Sequence, residues 1–538
     1  MKTIKYFLII SLLALSGWPA AAMPPEASAV FEKAGVKLSD VDLYRVAEVY
    51  NLWEQKGESI WPGVDMTTVP VQFVFPEKLD VLIGHPSPPE GCVKEDLKLP
   101  ALNKTFCHRP DRKFLYGAST GREGKEMAVS VNTLDVFDEY VNGMLQKQKP
   151  GTEKFSKPYS VYLGELAHEL THAYQGYEGR HLPAGEKSGP LKLTKVDYPY
   201  QDGETCLLLG LEGRILSDIM DETAPEKLTE LWRDFLAVRG ERRSRLPREM
   251  SAIERIMELR EGTAQYVGWS VSYGRNDEVK PLPETAGDPR FEGYSSSDTL
   301  RAMLKNRLAV LELPSQSRWM LYVYTTGTAL AYNLDKAAPG WKKGLFRRVS
   351  GIKTGLDDLI TASIKRSGSD RKRLEAVRAR YNAGEMRAKI EEALAKDLAD
   401  NKVKLDKFYA APGKRYQLAF RGAKPADVVV MGPVLLTEYG PLRVFEAGAS
   451  KVAHNLGEKN ENSVSFAKAL PLLIDRSTGR LELVVQGDAS PVIKAGKTIS
   501  KKDRTLYTGG VEFSNGIFSW KGEKLEVSEK EGITTLLF

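Results

Sequence analysis

Apolar residues recur at helical spacing from Val41 to Gln55, then alternate with polar ones like a strand from Val69 to Phe75. A second strand is predicted at Leu79 to Ile83 and a further one at Met127 to Val131. From Tyr159 to about Asp400 the pattern is mainly helical, with long charged amphipathic stretches at Arg371 to Tyr381 and Glu385 to Asp400. The character then changes. Tyr416 to Phe420, Asp427 to Met431, Leu442 to Glu446, Leu481 to Gln486 and Ile533 to Phe538 are short, β-rich and separated by Gly, Pro, Asn and Asp. The fold class this predicts is α+β. A small sheet and a mainly helical part occupy residues 23–400, and a β-rich C-terminal domain occupies 401–538. No repeat of 20 to 50 residues is visible.

A chain of 538 residues exceeds what one hydrophobic core usually supports, and its 42% hydrophobic and 28% charged residues suit folded domains. At the start, Lys2 and Lys5 precede an apolar run from Tyr6 to Leu15, and Ala20-Ala21-Ala22 supplies small residues for cleavage. Residues 1–22 therefore read as a signal peptide, with a mature chain from Met23. The run is shorter than the roughly 20 residues a bilayer span needs, and Gly17 and Pro19 interrupt it. The expected location is a periplasm-like or extracellular space, without a stable membrane anchor after cleavage. In such a compartment Cys92 and Cys107, which flank a short loop, are expected to pair, and closing that loop contributes about 3 kcal/mol. Cys206 lies in an apolar run and reads as a buried helix residue.

The formal charge of +6, from 77 basic and 71 acidic residues, is nearly balanced and argues against a nucleic-acid partner. Arg239 to Arg248 is locally basic, and its simplest reading is the solvated face of a helix and the turn after it.

The chemistry concentrates in Tyr159 to Gly176. His168 and His172 stand four residues apart on a run with helical apolar spacing, so both imidazoles lie on one face about one turn apart. Catalytic zinc favours three protein ligands plus an open position, and two histidines at this spacing supply two of them. Glu169 then projects beside the ion, where a carboxylate can take a proton from an attacking water. The chain has only six histidines, so a chance His-Glu-x-x-His is a poor explanation. Gly176 is placed to end the helix as a C-cap. His85, His108, His181 and His454 are isolated and read as loop or surface residues.

A third ligand is needed. The metzincin pattern would put Gly and His three and six residues beyond His172, where this chain has Gln175 and Glu178. A Glu from another helix remains, from Leu211-Glu212-Gly213 or from Glu258-Leu259-Arg260-Glu261-Gly262-Thr263-Ala264. Around Glu261 the small residues Gly262 and Ala264 let the helix approach another backbone closely, as a ligand requires. Glu258, one turn earlier, is placed to orient an imidazole from outside. Glu212 is the other candidate, with pairing to Arg214 or to an arginine of Arg239 to Arg248 as the structural explanation of its presence.

His168-Glu169-Leu170-Thr171-His172-Ala173-Tyr174-Gln175, followed by Glu258-Leu259-Arg260-Glu261-Gly262-Thr263-Ala264-Gln265-Tyr266, resembles the gluzincin-type HExxH zinc metallopeptidases, and more narrowly secreted bacterial gluzincin-like proteins. The likeness covers about residues 159 to 341. It implies a zincin-like catalytic domain, a Zn2+ cofactor held by His168, His172 and Glu261, and Glu169 as general base.

Hydrolysis of a peptide or protein substrate is the expected reaction, with zinc polarising the carbonyl and Glu169 moving the proton. The stretch Trp319 to Asp335 carries Tyr322, Tyr324 and Tyr332, and the Tyr324 hydroxyl is a candidate donor to the developing oxyanion. An extended peptide could add to the strand at Met127 to Val131 by edge pairing. Two rival readings use the same residues: a zinc-stabilised envelope binding or assembly factor with a vestigial peptidase site, and hydrolysis of non-peptide amides such as those of the cell wall.

Overall fold

The computed structural model describes residues 31–538 except 34, 77, 96, 98, 100, 111–116, 149–150, 178–197, 297–298, 314–318, 344, 346–354, 365–369, 422–427, 432–435, 455–461 and 487–490. The expected signal segment and His181 lie outside the described residues. The architecture mixes α and β, with a small sheet, a helical section and a C-terminal β-rich region. Two compact units result, one of Met1–Gly179 with Val267–Leu300 and one of Arg180–Tyr266 with Arg301–Phe538.

In the first unit, helix α1 (Asp40–Ile60) begins at a capping box in which Ser39 and Asp42 exchange side-chain and backbone hydrogen bonds. Six strands follow: β1 (Val71–Phe75), β2 (Leu79–Ile83), β3 (Val93–Glu95), β4 (Phe106–Pro110), β5 (Ala118–Glu123) and β6 (Glu126–Val131). They pair in the order β3-β4-β2-β1-β6-β5, antiparallel except for β1 with β6. Every residue of β1 and β2 is buried, as expected for strands in the middle of a sheet covered on both faces. The strand at Met127 to Val131 is therefore not the edge expected for peptide pairing. β5 takes that place, because the β5–β6 hairpin folds its first strand to the outside.

Cys92 and Cys107 form a disulfide that ties the start of β3 to β4. Arg109 on β4 donates two hydrogen bonds of 2.7 Å to the Glu123 carboxylate at the end of β5. His85, expected in a loop or at the surface, lies in a loop but is buried; it donates from Nε2 to the Glu123 carbonyl at 3.0 Å and accepts the Ser87 N–H at Nδ1. His108 lies within β4 beside Glu95 at 2.9 Å. The tip of the β5–β6 hairpin is thus clamped through both side chain and main chain. Helix α2 (Leu134–Gln148) and helix α3 (Tyr159–Tyr177) complete this part of the unit.

The second unit begins with α4 (Gly203–Asp221), α5 (Pro225–Arg245) and α6 (Arg248–Met257). A single π-helical turn, Glu258–Gly262, joins α6 to α7 (Thr263–Tyr273), and the division between units passes through α7. Then come α8 (Leu300–Ala309), α9 (Trp319–Ala337), α10 (Leu356–Ser363), α11 (Asp370–Arg380) and α12 (Ala383–Ala410). The boundary expected at 400/401 falls inside α12. Among the described residues no helix is long and apolar enough to cross a membrane.

Eleven strands close the chain: β7 (Lys414–Ala419), β8 (Val428–Met431), β9 (Leu436–Tyr439), β10 (Leu442–His454), β11 (Asn462–Asp475), β12 (Arg480–Val485), β13 (Val492–Lys494), β14 (Lys497–Lys501), β15 (Arg504–Ser514), β16 (Phe518–Lys530) and β17 (Ile533–Leu537). Along the path β16-β17-β7-β12-β11 each strand pairs with the next, and β11 pairs again with β16 at Ser465–Ser519 and Phe466–Phe518. Five strands therefore close into a ring. Closure removes their free edges, and alternate residues such as Tyr416, Leu418, Leu481, Leu483, Phe518 and Trp520 fill the inside. His454 lies at the end of β10.

The basic stretch Arg239 to Arg248 contradicts its expected solvated role. Arg239 and Arg242 are fully buried on α5, while Gly240, Ser244, Arg245 and Arg248 face solvent. Arg239 bonds Glu212 and Glu258; Arg242 bonds Glu212 and Glu254; Arg243 bonds Glu254, Glu258 and Asp357. Charge in the sequence says nothing of which face a helix buries, and here the partners are spread over α4, α6, the π turn and α10. Three guanidiniums face four carboxylates. Burial pushes the Glu254 carboxyl up, yet Arg242 and Arg243 hold it well below the ordinary range. At Glu258 burial prevails over Arg239 and Arg243, and its carboxyl is raised.

Removing one arginine strands its carboxylates without water, so Arg239→Met is expected to cost about 3–5 kcal/mol in urea unfolding. A cost below about 1 kcal/mol would show the network to be dispensable. Glu254 binds its proton less tightly folded than unfolded. Its contribution is therefore complete above the ordinary carboxylate pKa of about 4.3 and is lost as pH falls through the lower folded value. Glu254→Gln is expected to be less stable than wild type at pH 7, with the gap in urea midpoint shrinking toward pH 3.

Candidate metal centre

Helix α3 is helical because Tyr159, Tyr162, Leu163, Leu166, Ala167, Leu170 and Ala173 recur at three- and four-residue steps and are all buried. His168, Glu169 and His172 occupy the flank of that stripe. The two imidazole rings lie 4.6 Å apart, centre to centre, and nearly perpendicular at 86°. At the end of the helix Gly176 is not the expected C-cap, since α3 runs through Tyr177. Its reason is packing: a Cβ there would lie 2.7 Å from the Met127 side chain on β6.

His172 Nδ1 lies 2.9 Å from Gln175 Oε1, one turn further on. An amide oxygen only accepts, so Nδ1 carries the proton and Nε2 is left bare, the tautomer a metal ligand needs. The outer-shell acceptor is therefore Gln175 on the same helix. Glu258, expected in that role, instead accepts from Arg239, Arg243 and the Thr326 hydroxyl at 2.6 Å. The π turn is the physical reason. A turn of i to i+5 bonding holds an extra residue, which rotates Glu258 and Glu261 away from the shared face that three-residue spacing gives an α-helix. Periodicity in the sequence carries no mark of such a turn.

Glycines set how closely the Glu261 segment approaches its neighbours. In the second unit, a Cβ on Gly262 would fall 2.5 Å from the Gly327 Cα on α9, and one on Gly327 would fall 2.6 Å from the Glu258 carbonyl oxygen. In the first unit, a Cβ on Gly268 of α7 would lie 2.5 Å from the Gly164 carbonyl oxygen and 3.2 Å from the His168 Cβ. Backbone touches backbone at both crossings, and no side chain fits. Thr328 adds a hydroxyl bond of 3.2 Å to the Gly262 carbonyl. The expectation that Gly262 permits a close approach is met, with Ala264 fully buried beside it.

His168, His172 and Glu261 each offer one ligand atom, and these atoms lie within 4.8 Å of one another. His172 and Glu261 are buried. The alternative ligand Glu212 is not with them, because both its oxygens are taken by Arg239 and Arg242, while Arg214 pairs with Glu312. Two imidazoles and one carboxylate form the nitrogen and oxygen donor set that suits Zn2+ with an open position, where ligand atoms about 2.0–2.2 Å from the ion stand a little over 3 Å apart. A modest contraction of the present spacing achieves that, so the donor set fits.

Glu169 has a partner on the small sheet. The Thr120 hydroxyl on β5 lies 2.7 Å from Glu169 Oε2 and 2.7 Å from the Glu169 carbonyl oxygen. Nothing in the sequence near Thr120 marked it, because its role depends on β5 being the strand next to α3. Tyr324 is half-buried on α9, one turn before Gly327, and Tyr322 is turned into the core with its hydroxyl on Glu254 at 3.0 Å. Protein-family models, curated proteins and solved structures give no match to this chain.

Gly268→Ala is expected to push α7 off α3, to lower zinc affinity at least tenfold in chelator competition, and to cost about 1–3 kcal/mol in thermal unfolding. Wild-type zinc affinity in that variant would show that the crossing does not set the ligand geometry.

Proposed function

We propose that this chain is a zinc-dependent metallopeptidase, in which His168, His172 and Glu261 hold the ion and Glu169 is the general base. The observation that carries the reading is the convergence of two imidazoles and a buried carboxylate from a separate helical turn, with a second carboxylate next to the first ligand but held elsewhere. A structural zinc site tends to be closed by four protein ligands, whereas three leave a position for substrate or water. When bound there, zinc supplies Lewis acidity toward a carbonyl and toward water.

The protein's own groups divide the remaining work. Gln175 keeps the His172 ring in the tautomer with a bare Nε2. Glu169 takes the proton of the attacking water and returns it to the leaving amine. Tyr324, on the helix that crosses the π turn at Gly327, is the candidate donor to the oxyanion. The strand β5, an edge of the sheet among the described residues and adjoining α3, is the place for an extended peptide to pair. The zincin-like character of the domain and the export of the chain belong to the same proposal, and the disulfide at Cys92–Cys107 supports an oxidising compartment.

Metal analysis of the purified chain is expected to give about one zinc per molecule, falling sharply in His172→Ala and Glu261→Ala and unchanged in Glu212→Gln if that variant folds. Glu169→Gln is expected to keep its zinc and to lose roughly 10²-fold or more of the turnover of fluorescently labelled casein. Full activity in zinc-loaded Glu169→Gln would end the general-base assignment.

A further inference from the structure

Glu169 sits one residue from a ligand and could in principle swing onto the ion or onto solvent, so a peptidase of this kind needs something to hold its carboxylate. Three facts bear on what does so. The Thr120 hydroxyl contacts both the carboxylate and the main-chain carbonyl of Glu169, each at 2.7 Å, which ties the side chain to its own backbone through one group. Thr120 belongs to the edge strand β5, not to α3, so the hold comes from an element that α3 cannot carry along as it moves. That strand is in turn anchored three residues later, where Arg109 grips the Glu123 carboxylate with two 2.7 Å bonds and His85 donates to the Glu123 carbonyl.

From these we infer that Thr120 is a positioning residue for the general base, a hydroxyl on the substrate-side strand that fixes the Glu169 carboxylate beside the metal centre and away from the metal ligands. The inference rests on the metallopeptidase reading and deepens it. A threonine suits the task because its hydroxyl is short, its χ1 is stiff, and its one proton is shared between the Glu169 carboxylate and carbonyl oxygens, both of which only accept. Valine has the same shape and no proton to donate. Misplacing a reacting group by about an ångström costs on the order of 10²-fold in rate. The loss is therefore expected in turnover and not in metal or substrate binding, because a change of the Thr120 side chain leaves the β5 main chain in place for an extended peptide.

The test compares wild type, Thr120→Val and Thr120→Ser as full chains, using labelled casein as substrate, chelator competition for zinc affinity, and crystal structures with and without zinc. Thr120→Val is expected to lower kcat about 10- to 100-fold, to leave KM and zinc affinity within about twofold, and to show the Glu169 carboxylate displaced from β5. Thr120→Ser is expected to restore both the contact and most of the rate. If Thr120→Val fails to fold, Thr120→Ala carries the same comparison. The inference is overturned if the valine protein matches wild-type kcat or if its Glu169 carboxylate stays in place. A wild type that binds no zinc would instead sink the peptidase reading, while the metal-free crystal structures would still decide whether Thr120 holds the carboxylate.

Discussion

Backbone-to-backbone contact at two glycine pairs, one in each unit, sets how the helices around the candidate ligands pack within their own unit. Gly164 and Gly268 let α3 and α7 touch near His168, and Gly262 and Gly327 let the π turn touch α9. A carboxylate side chain is short, and a metal ligand must be placed within tenths of an ångström. A helix held off by ordinary side chains stands some 8–10 Å from its neighbour, axis to axis. Small residues at the crossings remove that stand-off. They do so at a cost in helix propensity of about 1 kcal/mol per glycine, which packing must offset.

The π turn and the buried charges belong to one arrangement. A turn with i to i+5 bonding is less favourable than α-helix and persists where surrounding contacts over-determine it. Glu258 at its start is gripped by Arg239, Arg243 and Thr326, and the Thr263 hydroxyl at its end bonds the Leu259 carbonyl at 2.6 Å. Charges taken this far from water earn little net stability. Their geometric effect is the more telling one. Six or more directional bonds per carboxylate cluster admit one arrangement of α4, α5, α6 and the turn, and the turn is what aims Glu261.

Much of this was legible beforehand, and the boundary of legibility has a physical cause. His168, Glu169 and His172 could be read because helical periodicity is a local property. Glu261 was favoured over Glu212 because its neighbours are small, a feature visible in sequence. Strands at Val71–Phe75, Leu79–Ile83 and Ile533–Leu537 also lay close to their expected places. What escaped depended on pairing across the chain: β5 as the edge instead of β6, Gln175 instead of Glu258 as partner of an imidazole, and arginines buried by carboxylates from four elements. His85 lies in a loop as read, but its burial against the Glu123 carbonyl, 38 residues away, was not legible.

Three glutamates within reach of one another in sequence terms end in three environments, and the environment decides the chemistry open to each. Glu258 is enclosed by guanidiniums and a hydroxyl, so it can serve only as structure. Glu261 lies within reach of two imidazoles, with the Arg260 guanidinium 3.6 Å from its carboxylate. Glu169, among the described residues, accepts from one hydroxyl on the strand β5. A chain that simply bound zinc for stability would gain from tying Glu169 as firmly as Glu258. The hydroxyl contact on Glu169, beside a heavily restrained turn, suits the proton transfer proposed for it.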